Sequence, residues 1–411
     1  MTIIEFYDKV SLDNIAGAML CNADRVILVG DHRGKMERSM RIYESILRNR
    51  NNNTTLSYMS INRNNLQNIV SVLSQIALSD DECVFDLTGG EDLYLVGIGI
   101  VMNKFEGHVQ CHRFNFHNNM LYDCDADGNV CSTRPFSISI EETVSMYGGM
   151  VVKDENRPLH TYNWDLTDDF YGDIEIMWDI CKRDVGLWNL QTAIIGMQCD
   201  ITHNEDSLEF FASYDLVSST LSQKRIEYVK FIGFLKELLQ HGIISSLNTN
   251  NGLYFEFKNQ QTKRCLVLPG QILELIIAKK MRALTNKDGT PLYNEVNVGV
   301  VIDWDRTDED NIYRTINEID IMAMKGAIPI FISCKNGNFD ENELYKLSTV
   351  SERFGNKYAK KVLIATKLDK FGLRSDYLRA RMKDMEIRCI DNITSLTNDQ
   401  LDATLRSLWI N

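Results

Sequence analysis

The sequence predicts an α/β protein in three parts, with boundaries expected at residues 1–150, 151–262 and 263–411. Three observations predict it. Over the first ~145 residues, strand-like runs alternate with helical ones. From about Leu159 to Leu268, helical segments give way to two strand-like runs. In the last third, a helix with an acid in its first turn precedes apolar strands that carry Asp320 and Lys335.

In the first part, Asp24 to Gly30 reads as a buried strand and Met36 to Arg48 as an amphipathic helix, apolar at Met36, Met40, Ile42, Ile46 and Leu47. Thr54 to Ser60 is a second strand and Leu66 to Leu78 a second helix. Glu82 to Thr88 is a third strand, followed by a Gly-Gly turn and a helix from Leu93 to Phe105. Strands separated by helices imply a parallel, Rossmann-like sheet, whose ligands sit beyond the C-terminal strand ends. Those ends carry two polar, glycine-containing loops. One offers Gly30, Asp31, His32, Arg33 and Lys35; the other offers Thr88, Gly89, Gly90 and Glu91. Glycine admits a phosphate or ribose close to the backbone, and the helix N-terminus that follows favours an anion. Both loops are therefore expected to bind a ligand.

The middle part is expected to hold helices from Ile174 to Gly186 and from Arg225 to His241. Strands follow at Leu253 to Lys258 and Lys263 to Leu268. Helix, Gly242 turn and hairpin look like a winged-helix connector.

The third part opens with the helix Gly270 to Lys280, which carries Glu274. Asn317 to Met322 and Ile330 to Lys335 then read as strands joined by a Lys325-Gly326 turn, the first bearing Asp320 and the second Lys335. Glu341 to Arg353 is a helix and Lys360 to Thr366 a strand. Alternation brings acid and lysine to one face, where the acid can hold a divalent cation and the lysine can fix the attacking water or neutralise charge developing on phosphorus. An ordinary hairpin with a charged rim is the plain alternative.

The order of helix with Glu274, strand, strand with Asp320, strand with Lys335, helix and strand resembles the PD-(D/E)xK restriction-endonuclease-like core. By that resemblance the site comprises Glu274, Asp320 and the run Ser333-Cys334-Lys335. Ser333 stands where the family has an acid. The implied Mg²⁺ or Mn²⁺ would be held by Asp320, a backbone carbonyl near Cys334, and Glu274 directly or through water. Val29-Gly30-Asp31 and Asp86-Leu87-Thr88-Gly89-Gly90 look like the CRISPR-associated Rossmann-fold (CARF) domain, and the likeness extends through Met146-Tyr147-Gly148-Gly149 and Tyr345-Lys346-Leu347. CARF domains fused to such a core form a family of type III CRISPR ancillary nucleases. The resemblance implies a homodimer holding one cyclic oligoadenylate, with cyclic tetra-adenylate as activator and DNA and/or RNA as substrate. The substitution at Ser333 motivates the rival, a ligand-binding signalling protein with an inactive nuclease core. A sensor that degrades its own cyclic ligand is a third reading.

Bulk properties set the bounds. The 411 residues suffice for two or three domains, and 44% hydrophobic and 25% charged residues are ordinary for a globular protein. No apolar run approaches the ~20 residues that span a bilayer, and Met1 to Asp8 does not read as a signal peptide. Ten scattered cysteines read as reduced thiols, so a cytoplasmic location is expected. A net charge of −13 argues against indiscriminate coating of a duplex. Between Arg353 and Arg388, however, eleven Lys or Arg face four Asp or Glu, enough to contact phosphates or simply to solvate a helix. Asp123 to Gly128 imitates the start of a calcium loop but reads as a polar hairpin turn, since Arg134 occupies the twelfth position. Cys111, His112 and His117 lack the spacing of a zinc finger.

Overall fold

The computed structural model describes the chain except residues 51–52, 80–81, 106–108, 126, 203–206, 306–314, 338, 355–357, 369–372 and 410–411. It contains three sheets. The first has seven strands, β1 (Thr2–Phe6), β2 (Arg25–Gly30), β3 (Thr55–Ser60), β4 (Cys83–Asp86), β5 (Val109–Asn115), β6 (Met120–Cys124) and β7 (Val130–Pro135). Their spatial order is β3-β2-β1-β4-β5-β6-β7, parallel from β3 to β5 and antiparallel beyond. This is the expected parallel sheet, with helices Arg33–Asn49, Leu66–Ser79 and Asp92–Lys104 as crossovers. The middle strand of its parallel portion, β1, went unread in the sequence. Every residue of Thr2–Phe6 is buried, as a strand covered on both faces requires, yet Glu5 interrupts the apolar run that marks such strands.

β8 (Met150–Val151) leaves this unit and pairs with a strand of the third sheet, so the boundary expected at 150/151 falls inside a strand. The middle region packs helices Asp168–Arg183, Val185–Thr202, Tyr214–Lys224 and Tyr228–Gln240 with a small antiparallel sheet. Its strands are β9 (Glu209–Ala212), β10 (Ile244–Asn248) and β11 (Leu253–Phe257), in the order β10-β11-β9. Two helices followed by the β10–β11 hairpin give the winged-helix-like connector, but its partners differ from expectation. Lys263–Leu268, expected as a strand, lies mostly in the helix Gln260–Val267. A capping box decides this: the Asn259 side chain accepts from the Thr262 amide at 2.8 Å, and the Thr262 hydroxyl accepts from the Asn259 amide at 3.1 Å. Thr262, Cys265 and Leu266 then bury one helical face.

The third sheet contains β8, β12 (Glu295–Asp303), β13 (Ile316–Lys325), β14 (Ile328–Lys335), β15 (Lys360–Ala365) and β16 (Ile387–Ile390), ordered β16-β15-β14-β13-β12-β8. Helix Gln271–Ala283 precedes β12, and helix Asn342–Arg353 lies between β14 and β15, which reproduces the expected order of parts. One core joins helix Gln271–Ala283 to one face of this sheet, through residues such as Leu273, Val298, Ile321 and Ile332. The opposite face contributes Val300, Met322 and Phe331 to a core that also holds Leu347 of helix Asn342–Arg353, Val144 of helix Ile140–Met146 and Leu28 of the first sheet. Asp123–Gly128 is a hairpin turn, with Asp125 accepting from the amides of Asp127 and Asn129; Ala126 lies outside the described residues. None of the ten cysteines is joined in a disulfide. Among the described residues, no helix is long and apolar enough to cross a membrane.

Candidate functional site

The acid and the lysine meet where two strands part. β13 and β14 pair from Ile321↔Ile332 towards their shared turn, and no ladder pair continues the pairing to Asp320 and Ser333. Across the neighbouring β12, Gly299 has φ +61°. On either side of it the pleat changes face: Val298 and Ile321 belong to one core, Val300 and Ile319 to the other. Plain alternation is thus interrupted at Asp320, whose carboxylate substitutes for the missing ladder. Its Oδ2 accepts from the Cys334 amide at 2.7 Å and the Ser333 hydroxyl at 3.2 Å, and lies 3.6 Å from the Lys335 ammonium.

Asp320, Ser333 and Lys335 line a cleft of about 390 Å³ with Glu318, Glu343 and Lys346, walled by Leu347 and Val350. Sequence reasoning missed Glu343. It sits in the first turn of helix Asn342–Arg353 and bonds the Lys335 ammonium through Oε2 at 2.7 Å and Lys346 through Oε1 at 2.8 Å. Its only mark in the sequence was an acid three residues before a lysine on the helix that follows the lysine strand. Burial pulls the Lys335 ammonium towards neutrality, but Asp320 and Glu343 outweigh it and hold the lysine charged. Burial likewise opposes ionisation of Glu343, and its two lysine partners reverse that.

Glu274 approaches separately, from the first turn of helix Gln271–Ala283, and does not line the cleft. Gln271 donates to its Oε2 at 2.7 Å. Burial, then the charges of Asp320 and Glu318, raise its pKa well above the ordinary glutamate value. Glu318 is raised too, by burial and by Asp320. The charges of Asp320 and Glu318 thus add to burial in opposing ionisation of Glu274, although the oxygens of the three acids do not converge as a ready-made three-ligand cluster among the described residues. The Cys334 thiol is buried and its pKa pushed well up by burial and by the charges of Asp320 and Glu274, so it stays protonated. The basic stretch beyond is largely engaged within the chain: Arg353 stacks on Trp304, Arg379 pairs with Asp391, and Arg388 donates to Ser407. Lys357 and Lys370 lie outside the described residues.

In the first sheet, the two predicted loops follow β2 and β4, which flank β1. They therefore converge over its C-terminal end. Arg63, which the sequence reading did not single out, joins them: its guanidinium pairs with Asp31 at 3.1 Å and with Glu91 at 3.0 Å. His32 and Arg33 are exposed, and Arg33 pairs with Glu37. Thr88 is held from both sides, its amide donating to Asp86 at 2.6 Å and its hydroxyl accepting from the Phe114 amide at 2.8 Å. Gly90 has φ +98°, and a Cβ there would stand 2.8 Å from Cβ of Phe6 and 3.0 Å from the Tyr94 ring. Glycine at 90 is thus required by the turn and by packing beneath it, whatever the ligand.

No family model matches the chain, and no curated protein matches it. Its fold does match solved structures. Protein VC1899 from Vibrio cholerae is 16% identical, with a TM-score of 0.74 over 99% of this chain and 97% of that one. Can2 from Sulfobacillus thermosulfidooxidans, solved in complex with cyclic tetra-adenylate, is 13% identical, with a TM-score of 0.64 over 100% of this chain and 99% of that one. The chain thus has the fold of these two proteins along its whole length.

Proposed function

We propose that this protein is a metal-dependent endonuclease of type III CRISPR defence, switched on by a cyclic oligoadenylate and acting on DNA and/or RNA. The single observation that carries the reading is the convergence of Asp320, Ser333 and Lys335 at the open ends of β13 and β14. That convergence occurs in a chain whose fold matches Can2 end to end, a protein solved with cyclic tetra-adenylate.

The acids support a cation at this site: burial first, and then the charge of Asp320, raise the pKa of Glu274 and Glu318, and a dication beside them would favour their charged forms. Mg²⁺ and Mn²⁺ suit such oxygen donors, with Asp320 and Glu274 as holders and a carbonyl near Cys334 as a further donor. When bound, the ion supplies Lewis acidity at a phosphoryl oxygen and an acidified water. Lys335 neutralises charge that builds on phosphorus, and Glu343 holds the ammonium in place for it. Ser333 orients Asp320 by its hydroxyl and adds no charge.

In the sensor, Gly30, Asp31, His32, Arg33, Lys35, Thr88, Gly89, Gly90 and Glu91 form the ligand cleft, with Arg63 as tie. A homodimer is supported by the helix Asp92–Lys104, which leaves this cleft with Leu93, Leu95, Val96 and Ile100 exposed. Ligand drives activation to the extent that it binds the active arrangement more tightly than the resting one. The test is incubation with Mn²⁺, supercoiled plasmid and labelled RNA, with and without each cyclic oligoadenylate. Cleavage that requires one ring, cyclic tetra-adenylate by expectation, supports the reading. Ligand binding without cleavage of either polymer overturns it in favour of a signalling protein.

A further inference from the structure

Beneath the Thr88–Gly90 turn, three polar side chains form a row across the middle of the first sheet. Glu5 follows the Ile4↔Phe85 pair of β1 and β4, and Asp86 pairs in register with His112 of β5, so the three stand side by side. All are buried: Glu5 is 0% exposed, Asp86 1% and His112 1%. One ligand atom from each lies within 4.8 Å of the other two. His112 Nε2 is 2.9 Å from Asp86 Oδ2, whereas neither oxygen of Glu5 has a hydrogen-bond partner, nor does His112 Nδ1. A buried carboxyl without partners is costly, and here it points into a cluster of metal-ligating groups.

The covering element fits the row. Helix Ala16–Leu20 lies over it with Gly17 at the contact, where a Cβ would come within 2.2 Å of His112 Nε2 and 2.7 Å of Asp86 Oδ2. Glycine thus keeps open the space around these atoms. Cys21, which follows that helix, is buried, and its sulfur accepts from Arg134 at 3.1 Å.

We propose that Glu5, Asp86 and His112 bind a divalent transition-metal ion of the zinc class, a structural centre distinct from the nuclease site. With both carboxyls and the imidazole deprotonated, as metal binding requires, the row carries a charge of −2, which a dication cancels where no water reaches. Zinc accepts mixed oxygen and nitrogen donors at ~2.0–2.2 Å, so movements of under about 1 Å bring all three onto one ion. Mg²⁺ suits the row poorly, because it retains several waters and this row excludes them. The centre has a mechanical consequence. Asp86 also accepts from the Thr88 amide through Oδ1, so an ion held by Asp86 fixes the turn above it.

The test uses the full-length chain carrying Asp320→Ala, which weakens the nuclease site as a competing binder. Expressed with zinc and dialysed against a weak chelator, it should retain about one zinc per chain by mass spectrometry. Adding Glu5→Gln or His112→Asn should reduce this to under about a tenth. Because either change could disturb a buried row, a second measurement uses the chain without them. Loaded with Co²⁺, it should show the intense visible bands of a four-coordinate site, with both oxygens of Glu5, neither of which has a hydrogen-bond partner, completing the set. Absence of stoichiometric zinc together with absence of those bands overturns the proposal. Full zinc retention by folded Glu5→Gln and His112→Asn overturns it as well.

Discussion

The Lys335 ammonium lies 2.7 Å from Oε2 of Glu343, closer than the 3.6 Å that separates it from Asp320. The lysine expected to serve the reacting phosphate is thus anchored by an acid from the following helix. Glu343→Gln keeps the shape and removes the charge that anchors it. Cleavage by the activator-saturated enzyme should fall roughly 10- to 100-fold through loss of positioning, with the apparent affinity for nucleic acid nearly unchanged. An unaltered rate would show that Lys335 is oriented without Glu343.

Asp320 accepts two hydrogen bonds and faces the Lys335 ammonium at 3.6 Å, and cannot be replaced by a neighbour. Asp320→Ala and Lys335→Ala should each lower cleavage by about 10³-fold or more. Titration calorimetry with cyclic tetra-adenylate should meanwhile give the wild-type affinity, because the ligand loops belong to another sheet. Near-wild-type cutting by either variant, resistant to chelator, would remove these residues from the chemistry.

What the sequence disclosed and what it hid follow from the same physics. Alternating strands and helices made the parallel sheet legible, and the two loops at its strand ends with it. β1 stayed hidden because Glu5 breaks an apolar run, and nothing local announces that a buried carboxyl has neighbours on β4 and β5. Asp320 and Lys335 were found by alternation, although they meet where alternation is interrupted opposite Gly299. Glu343 was missed because its partner lies on a different element, Lys335 at the end of β14, and Arg63 because it ties loops that begin about 60 residues apart. Lys263–Leu268 looked like a strand, and only the side chains of Asn259 and Thr262, acting on backbone amides, make it a helix.

Glu274 gives a pH test with a definite sign. Its pKa is raised in the folded chain, so between the ordinary glutamate value and the raised one the unfolded chain has released a proton that the folded chain retains. Stability falls as pH rises through that window. Glu274→Gln, measured without metal, should therefore raise the melting temperature by about 2 °C at pH 8, with the advantage vanishing towards pH 4. Metal binding by the wild type should strengthen with pH over the same window, since the proton must leave. A Glu274→Gln effect independent of pH would mean that Glu274 is not the titrating group.

Arg63 offers a cleaner probe of the ligand cleft than the glycines do. Gly90→Val forces a side chain into Phe6 and Tyr94 at a positive φ, so it should lower the melting temperature and cannot report on binding alone. Arg63→Ala removes a half-exposed tie, with a stability cost of at most ~1 kcal/mol. It frees Asp31 from Glu91 and leaves the cleft more negative, so affinity for an anionic cyclic oligoadenylate should fall about tenfold or more, with a flatter salt dependence. Unchanged affinity would locate the ligand elsewhere.

Ser333 tests the proposed metal site most directly. Its hydroxyl donates to Asp320 and its side chain faces a cleft of about 390 Å³, so a longer side chain has room on that side. Ser333→Glu removes a donor and sets a further carboxylate beside Asp320, within the field that already raises Glu274 and Glu318. Without metal, the added repulsion should lower the melting temperature. With Mn²⁺ the same carboxylate becomes a ligand, so the loss should be recovered and the Mn²⁺ concentration for half-maximal cleavage should fall by about tenfold, equivalent to ~1.4 kcal/mol. Circular dichroism must first show an intact fold, because overpacking alone costs roughly 1–3 kcal/mol and would not be reversed by Mn²⁺. A folded Ser333→Glu chain whose metal requirement is unchanged or greater would mean that position 333 does not face the ion, and that the match of Ser333-Cys334-Lys335 to the family's acid-and-lysine pair fails here.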